Sequence, residues 1–234
     1  MFHTIFFVPL YNALIFLTSA FDGSLGLAVI GLTLGVKVIL APLAHKSIVS
    51  QIEQKKLQPL VEELKKKYPD QKEQSQRLME LYKEHKTNPF AGCLLILLQL
   101  PIIIALYRVF LSGAAINVSE LYSFVHAPEM LRTIFLGIDM ASKSIILAAL
   151  AGISQFLQMY LSPAMQSSST PVSPDADMQT KVMGSMTQSM KYTMPIMIAV
   201  FAYAVPGAVA LYWVVSNIVM IVQERWVMRR MKQE

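Results

Sequence analysis

The chain has 234 residues, of which 54% are hydrophobic and only 15% charged, and its mean hydropathy is +0.48. Soluble domains hold about 25% charged residues, so this composition excludes a soluble globular protein and points to an integral membrane protein. The net charge of +5 is unevenly spread: ten of the twenty Lys and Arg lie between Lys46 and Lys86, and four more follow Gln223.

The first element, 1–22, is apolar but broken by Pro9 and Asn12, and no Lys or Arg precedes Lys37. It lacks the basic start of a secretory signal and is short for a span, so it reads as an N-terminal interfacial helix lying in one leaflet. The first span, 23–45, contains the apolar run LGLAVIGLTLGVKVILAPLAH with Lys37 well inside it. Residues 46–88 hold ten basic and seven acidic side chains and read as a charged helical hairpin. Pro59 suits a first helical turn, Pro69-Asp70 marks the bend, and Leu60, Val61, Leu64, Leu78, Leu81 and Tyr82 give each arm an apolar face.

The second span, 89–112, is interrupted by Gln99 and Pro101, and a loop, 113–142, follows. The third span is 143–161. A Ser/Pro/Asp linker and a Met-rich helix fill 162–190. The fourth span, 191–205, and the fifth, 208–224, flank a Pro206-Gly207 turn, and 225–234 is a basic tail. The single cysteine, Cys93, sits in an apolar run and supports no disulfide framework. Counting basic residues at the loops puts the hairpin and tail in the cytoplasm. The expected fold is an all-α polytopic membrane protein with five transmembrane helices, N-terminus out and C-terminus in.

A charge at membrane depth costs a few kcal/mol even on lenient scales, so Lys37 needs water, a partner or a cavity. With a rise of about 1.5 Å per residue, Lys37 lies about 12 Å from the cytoplasmic end of its span and Gln99 about 13 Å from that of its own. Gln155, Ser216 and Asn217 fall about 9–10 Å in on the same count, and Gln158 lies closer to the end. Polar groups from four helices at similar depth predict a hydrated pocket open to the cytoplasm and sealed outward, with Tyr212 and Trp213 beside it. A Gln in a span also serves as a plain interhelical hydrogen bond, and Lys37 can instead snorkel toward the interface.

Met183, Met186, Met190, Met194 and Met197 recur at helical spacing on one face. Such a stripe is ordinarily packing, but methionine also makes an adaptable surface for varied apolar partners. The first four of them are the expected cytoplasmic substrate-contact surface. Enzyme chemistry is not evident. The four histidines form no HExxH motif or close pair, no acidic side chain interrupts an apolar run, and there is no Gly-rich phosphate loop. No metal or other cofactor and no specific nucleic-acid site is expected. A small transporter or channel with an anion site at Lys37, and an assembly scaffold that docks a partner on its hairpin, are the competing readings.

Several stretches resemble the YidC membrane-insertase family. TNPFAGCLLILLQLPIIIALYRVF (87–110) is similar to that family's NPxxGCxPxLxQxPIxxALY pattern, with Leu95 at or beside the family's Pro. VPGAVALYWVVSNIVMIVQ (205–223) is similar to its PxGLxLYWxxSNxxxxxQ pattern, and VKVILAPLAHKS (36–47) and MQTKVM…MPIMIAVF (178–201) to its first- and fourth-span segments. The likeness extends over nearly the whole chain, in a compact form without a large extracytoplasmic domain. It implies an insertase that handles nascent membrane proteins in the bacterial cytoplasmic (inner) membrane, ahead of an organellar one, with the Sec translocon and ribosome as candidate partners. It also implies an inner-leaflet groove with a basic residue on the first span. Lys37 stands where most bacterial members have Arg, which keeps the charge without the planar five-donor fork. Lys37, Gln99, Gln155, Ser216, Asn217, Tyr212 and Trp213 are the expected groove residues.

Overall fold

The computed structural model describes residues 3–68, 70–85, 87–88, 99–104, 107–108, 116–162 and 192–231. A π-helical turn, His3–Phe7, runs into α1, Val8–Ala20. A tight turn then leads into α2, Leu25–Lys67. Gly23 makes that turn, at φ +80°; a Cβ there would sit 1.9 Å from the Met130 carbonyl oxygen, so only glycine fits. Leu17 and Phe21 close on Gly31 of α2, which docks α1 onto the first half of that helix.

At 43 residues α2 is about 65 Å long, roughly twice the thickness of a bilayer's hydrocarbon core. It passes without a break from the apolar run into the charged segment, through Pro42 and Pro59. The border between apolar and charged sequence at 45/46 is therefore not a helix end. After a bend, α3 (Gln71–Glu84) starts with Asp70 accepting from the Glu73 N–H at 3.1 Å, an N-cap of the S/T/D-x-x-E type. The Tyr68 ring at the bend lies 5.6 Å from Lys67 Nζ and 5.5 Å from the Arg77 guanidinium. The chain returns along α2. Gln54 Nε2 donates to the Asn88 carbonyl at 2.7 Å, and the Asn88 N–H donates to Ser50 Oγ at 3.0 Å. Leu57 and Val61 are buried beneath the pair.

Residues 99–104 are helical. The segment 116–144 covers the end of the bundle where α2 begins, and contains two short antiparallel strands, β1 (Ile134–Phe135) and β2 (Ile138–Asp139). Asn12, buried in α1, fastens this cover: its Nδ2 donates to the Glu120 carbonyl at 2.9 Å and its Oδ1 accepts from the Tyr122 N–H at 2.6 Å. Three further helices follow: α4 (Ile145–Leu161), N-capped by Ser144, α5 (Tyr192–Ala204) and α6 (Gly207–Arg230). Helix α6 packs against both α2 and α4. It starts at the covered end, where the Gly207 and Ala208 N–H groups donate to the Ser142 and Met140 carbonyls.

Three helices, His3–Ala20, Leu25–Leu64 and Gly207–Arg230, are long and apolar enough to cross a membrane, and Ile145–Leu161 and Tyr192–Ala204 are shorter apolar helices. The surface confirms the environment. Val38, Ile39, Ile145, Ile153, Ile196 and Val222 are exposed, whereas Asn12, Thr33, Ser154, Ser216, Asn217 and Glu224 are buried. Water would invert that distribution; lipid favours it. The core where these helices meet includes several small residues, among them Ala28, Ala151, Ala202, Ala208 and Ala210, which permit close approach where lipid supplies no hydrophobic drive between helices.

One such close approach is between α4 and α5. A Cβ on Gly152 would meet Ala199 Cβ at 2.8 Å and the Pro195 carbonyl oxygen at 3.2 Å. Gly152→Val should therefore force the two helices apart at a cost of about 1–3 kcal/mol, seen as a lower thermal unfolding midpoint of the purified protein in detergent. In the cover, the Ser142 hydroxyl and the Ala141 N–H donate to the Asp139 carboxylate and hold it below the usual aspartate range. A depressed carboxyl stabilises above its unfolded value of about 4 and loses that contribution as pH falls through the lower folded value. The thermal midpoint should fall on acidification below about pH 4, and fall less in Asp139→Ala.

Candidate functional site

Helix α6 presents polar side chains to three different neighbours along one stretch. Starting nearest the covered end, Gln99 Nε2 donates to the Tyr212 hydroxyl and, at 3.3 Å, to Ser216 Oγ. Trp213 Nε1 donates to Gln155 Oε1 of α4 at 3.1 Å, and the Trp213 ring meets Phe201 of α5 edge-on. One turn on, Asn217 Nδ2 donates to Ser154 Oγ of α4 at 3.0 Å, and the Ser154 hydroxyl in turn donates to the Ala151 carbonyl at 3.0 Å. Gln223 Nε2 donates to the Ala41 carbonyl of α2 at 3.0 Å. Beside it, Glu224 accepts from Gln158 Nε2 at 3.1 Å and Ser162 Oγ at 3.0 Å, both of α4 or its C-cap. From Tyr212 to Glu224 this ladder covers about 18 Å of helix.

Tyr212, Ser216 and Asn217 are buried, and Gln99, Gln155 and Trp213 half-buried. The structure thus joins Gln99 to Tyr212 and Ser216, Gln155 to Trp213, and Asn217 to Ser154, as hydrogen bonds between helices. Lys37 behaves differently. It is half-buried and has no hydrogen-bond or ion-pair partner among the described residues. The Ala41–Gln223 contact lies one turn beyond it, so Lys37 stands at the level between Asn217 and Gln223, since α2 and α6 start at the same end.

Around Lys37 the packing of α2 opens. Every residue from Leu34 to Leu43 is exposed or half-buried, whereas Ala28, Val29, Leu32 and Thr33 before it and Ala44, Ser47 and Ile48 after it are buried. Those ten residues cover about 15 Å of helix. Of the methionine stripe, Met194 is half-buried and Met197 exposed on α5. Met183, Met186 and Met190 lie outside the described residues.

Glu224 is the residue that reading by apolar runs passes over, because it stands at the boundary with the basic tail. It is 1% exposed, and its second oxygen, also buried, meets no donor among the described residues. Ser154 and Ser162 were equally invisible as partners, being ordinary small residues in apolar sequence. Nearby, the His45 ring lies edge-on to Trp226 at 5.9 Å, and the Arg230 guanidinium lies 4.0 Å from the centre of the same indole. No group of three His, Cys, Asp or Glu suited to a metal occurs among the described residues. The arrangement offers hydrogen-bonded helix contacts and, in Lys37, a cation without a partner among the described residues. Glu224→Ala should strand the Gln158 amide and the Ser162 hydroxyl and leave a cavity, at a cost of about 2–4 kcal/mol. Glu224→Gln retains an acceptor and should cost less than half as much, by thermal unfolding in detergent.

Residues 16–234 match the family described as 60Kd inner membrane protein. Proteins named "Membrane protein insertase YidC" are among the relatives. That of Oceanobacillus iheyensis is 35% identical over 226 residues, covering 94% of this chain and 81% of its own. Those of Actinobacillus succinogenes and Magnetococcus marinus are 34% and 36% identical over 97% of this chain, but the match spans only 37% and 36% of their length. The structure described as "Active YidC insertase crystal structure with the first transmembrane domain resolved" shares the fold at a TM-score of 0.59 and 24% identity, over 94% of this chain and 45% of that one. The apolar exterior and these matches make this a multi-pass protein of the bacterial inner membrane. By sequence over most of its length, the chain belongs to the YidC family, that of the 60Kd inner membrane protein.

Proposed function

We propose that this protein is a membrane insertase that passes nascent membrane proteins into the bilayer through a groove between α2 and α6. The relatives named above support the activity, and one observation carries the groove: Lys37, without a partner among the described residues, beside a ten-residue gap in the packing of α2. The polar or acidic flank of a client enters from the cytoplasm and is drawn to the ammonium group, which offsets part of its desolvation. The client's apolar segment then partitions into lipid, and burial of its own apolar area drives the step. Membrane potential assists an acidic flank that moves outward. No nucleotide or other cofactor enters this mechanism.

The same proposal places the N-terminus outside and the C-terminus in the cytoplasm, with five spans at 23–45, 89–112, 143–161, 191–205 and 208–224. Charge bias supports it, and so does α1. Asn12 bonds to residues 120 and 122, and Gly23 bonds to Arg132, so both parts of α1 and its turn meet one covering loop. On this reading α1 lies along one side of the bundle and is not a sixth span. The α2–α3 hairpin and the methionine surface then face the cytoplasm, where a client, the ribosome or the Sec translocon would first be met.

Lys37→Glu tests the charge. In reconstituted vesicles, insertion of a single-span client with an acidic N-terminal tail should fall at least tenfold, equivalent to about 1.4 kcal/mol, while Lys37→Arg keeps most of it. Unchanged insertion by Lys37→Glu and Lys37→Ala would remove charge capture from the mechanism. Solute flux through the purified protein in liposomes would favour a channel instead.

A further inference from the structure

The covering segment carries a feature that the groove does not use. Strands β1 and β2 pair Ile134 with Asp139 and Phe135 with Ile138, which leaves Leu136 and Gly137 as a two-residue turn. Both have positive φ, +49° and +78°, the pattern of a type I′ hairpin turn, whose first position favours Asn, Asp or Gly. Leucine is disfavoured there twice over. Its Cβ opposes the left-handed backbone, and its side chain is 85% exposed. Ile134, on the same outward side, is 69% exposed. The residue between them, Phe135, turns the other way and closes on Gly26 of α2, where a Cβ would lie 2.2 Å from the ring. In water, an Asn-Gly turn would relieve both costs at once.

The hairpin is also held in place. At its base the Arg132 N–H donates to the Gly23 carbonyl at 2.8 Å and the Leu25 N–H to the Arg132 carbonyl at 3.1 Å. On its other side the Gly207 and Ala208 N–H groups donate to Ser142 and Met140. The tip is thus fixed beside the first turns of α2 and α6. It continues the apolar belt formed there by the exposed side chains of Phe21, Leu27, Ile145 and Ile146. No charged residue lies between Arg132 and Asp139, and those two bracket the tip at its base.

We propose that the Ile134–Ile138 hairpin is a lipid-contacting wedge that seats Leu136 and Ile134 in the acyl-chain border of the leaflet at this end of the bundle. The occupant is lipid because the patch runs on from the lipid-facing belt of the helices and carries no charge of its own. The depth is shallow: a two-stranded hairpin leaves outward backbone N–H and C=O groups that the hydrocarbon core cannot satisfy. The inference rests on the membrane-embedded reading of the helices, and not on the insertase activity.

The test uses full-length protein with Cys93→Ala, carrying one environment-sensitive fluorophore on Leu136→Cys, in vesicles of phosphatidylcholine and phosphatidylglycerol. Ile153→Cys, on the exposed middle of α4, serves as the lipid reference, and His126→Cys, an exposed loop position, as the water reference. Expected at 136 are blue-shifted emission relative to 126, strong quenching by nitroxides high on the acyl chain, and weak quenching by aqueous iodide. Emission and iodide quenching at 136 equal to those at 126 would overturn the wedge, and would leave a protein partner as the occupant. Position 153 separates the two cases: if it too is open to iodide, the embedded reading itself fails and takes the wedge with it.

Discussion

Inside a bilayer each polar group must find its partner within the protein, and α6 is where this chain meets that requirement. Tyr212, Trp213, Ser216, Asn217, Gln223 and Glu224 each hydrogen-bond to residues 99–104, α4 or α2. The apolar core alone would bring these helices together loosely, since lipid is as apolar as leucine. The ladder along α6 adds direction, because each bond fixes the rotation of one helix relative to another. Small residues permit close approach on the other side of α4, where Gly152 lies against Ala199 and Pro195 of α5.

The covered end supplies the second constraint. The Gly23 turn, the Asn12 fastening and the bonds from Gly207 and Ala208 tie α1, α2 and α6 to the same loop. With their starting turns fixed, α2 and α6 run in the same direction and stay in register. Farther along, among the described residues, α2 is fastened by Gln223 at Ala41 and by the return of the chain at Asn88 to Ser50 and Gln54. Lys37 and most of the packing gap around it fall between the covered end and these fastenings. A closed end and an opened middle therefore come from the same arrangement of fastenings.

Much of this was legible in the residues, because long apolar runs mark helices and a polar side chain inside one marks a contact. Depth along the chain put Gln99, Gln155, Ser216 and Asn217 at one level. It could not say which way each pointed, so Gln99 facing Tyr212, and Trp213 taking Gln155, came only from the fold. The unbroken course of α2 was hidden because a change from apolar to charged sequence marks a membrane border and not a helix end. Pro42 and Pro59 also look like breaks, although a long helix supported by neighbours tolerates them. The hairpin at 134–139 was invisible for a different reason: Leu136 occupies the place where a turn is normally announced by asparagine or aspartate. Glu224 was lost because the first charge after an apolar run reads as tail.

The position of Glu224 bears on why Lys37 is available. A carboxylate near an unpaired ammonium would capture it and remove its attraction for anything else. Gln223 and Glu224 are consecutive, and consecutive residues on a helix point about 100° apart. The neutral amide turns to α2 and bonds to Ala41, one turn from Lys37, while the carboxylate turns to α4 and takes its donors from Gln158 and Ser162. Rotating α6 by one residue would bring the acid to the α2 side. The hydrogen bonds of Asn217 to Ser154 and Trp213 to Gln155 oppose that rotation, since both would be broken by it. The bonds between α4 and α6 thus do more than join two helices: they keep the carboxylate of Glu224 turned away from α2, and so keep it from pairing with the cation of α2.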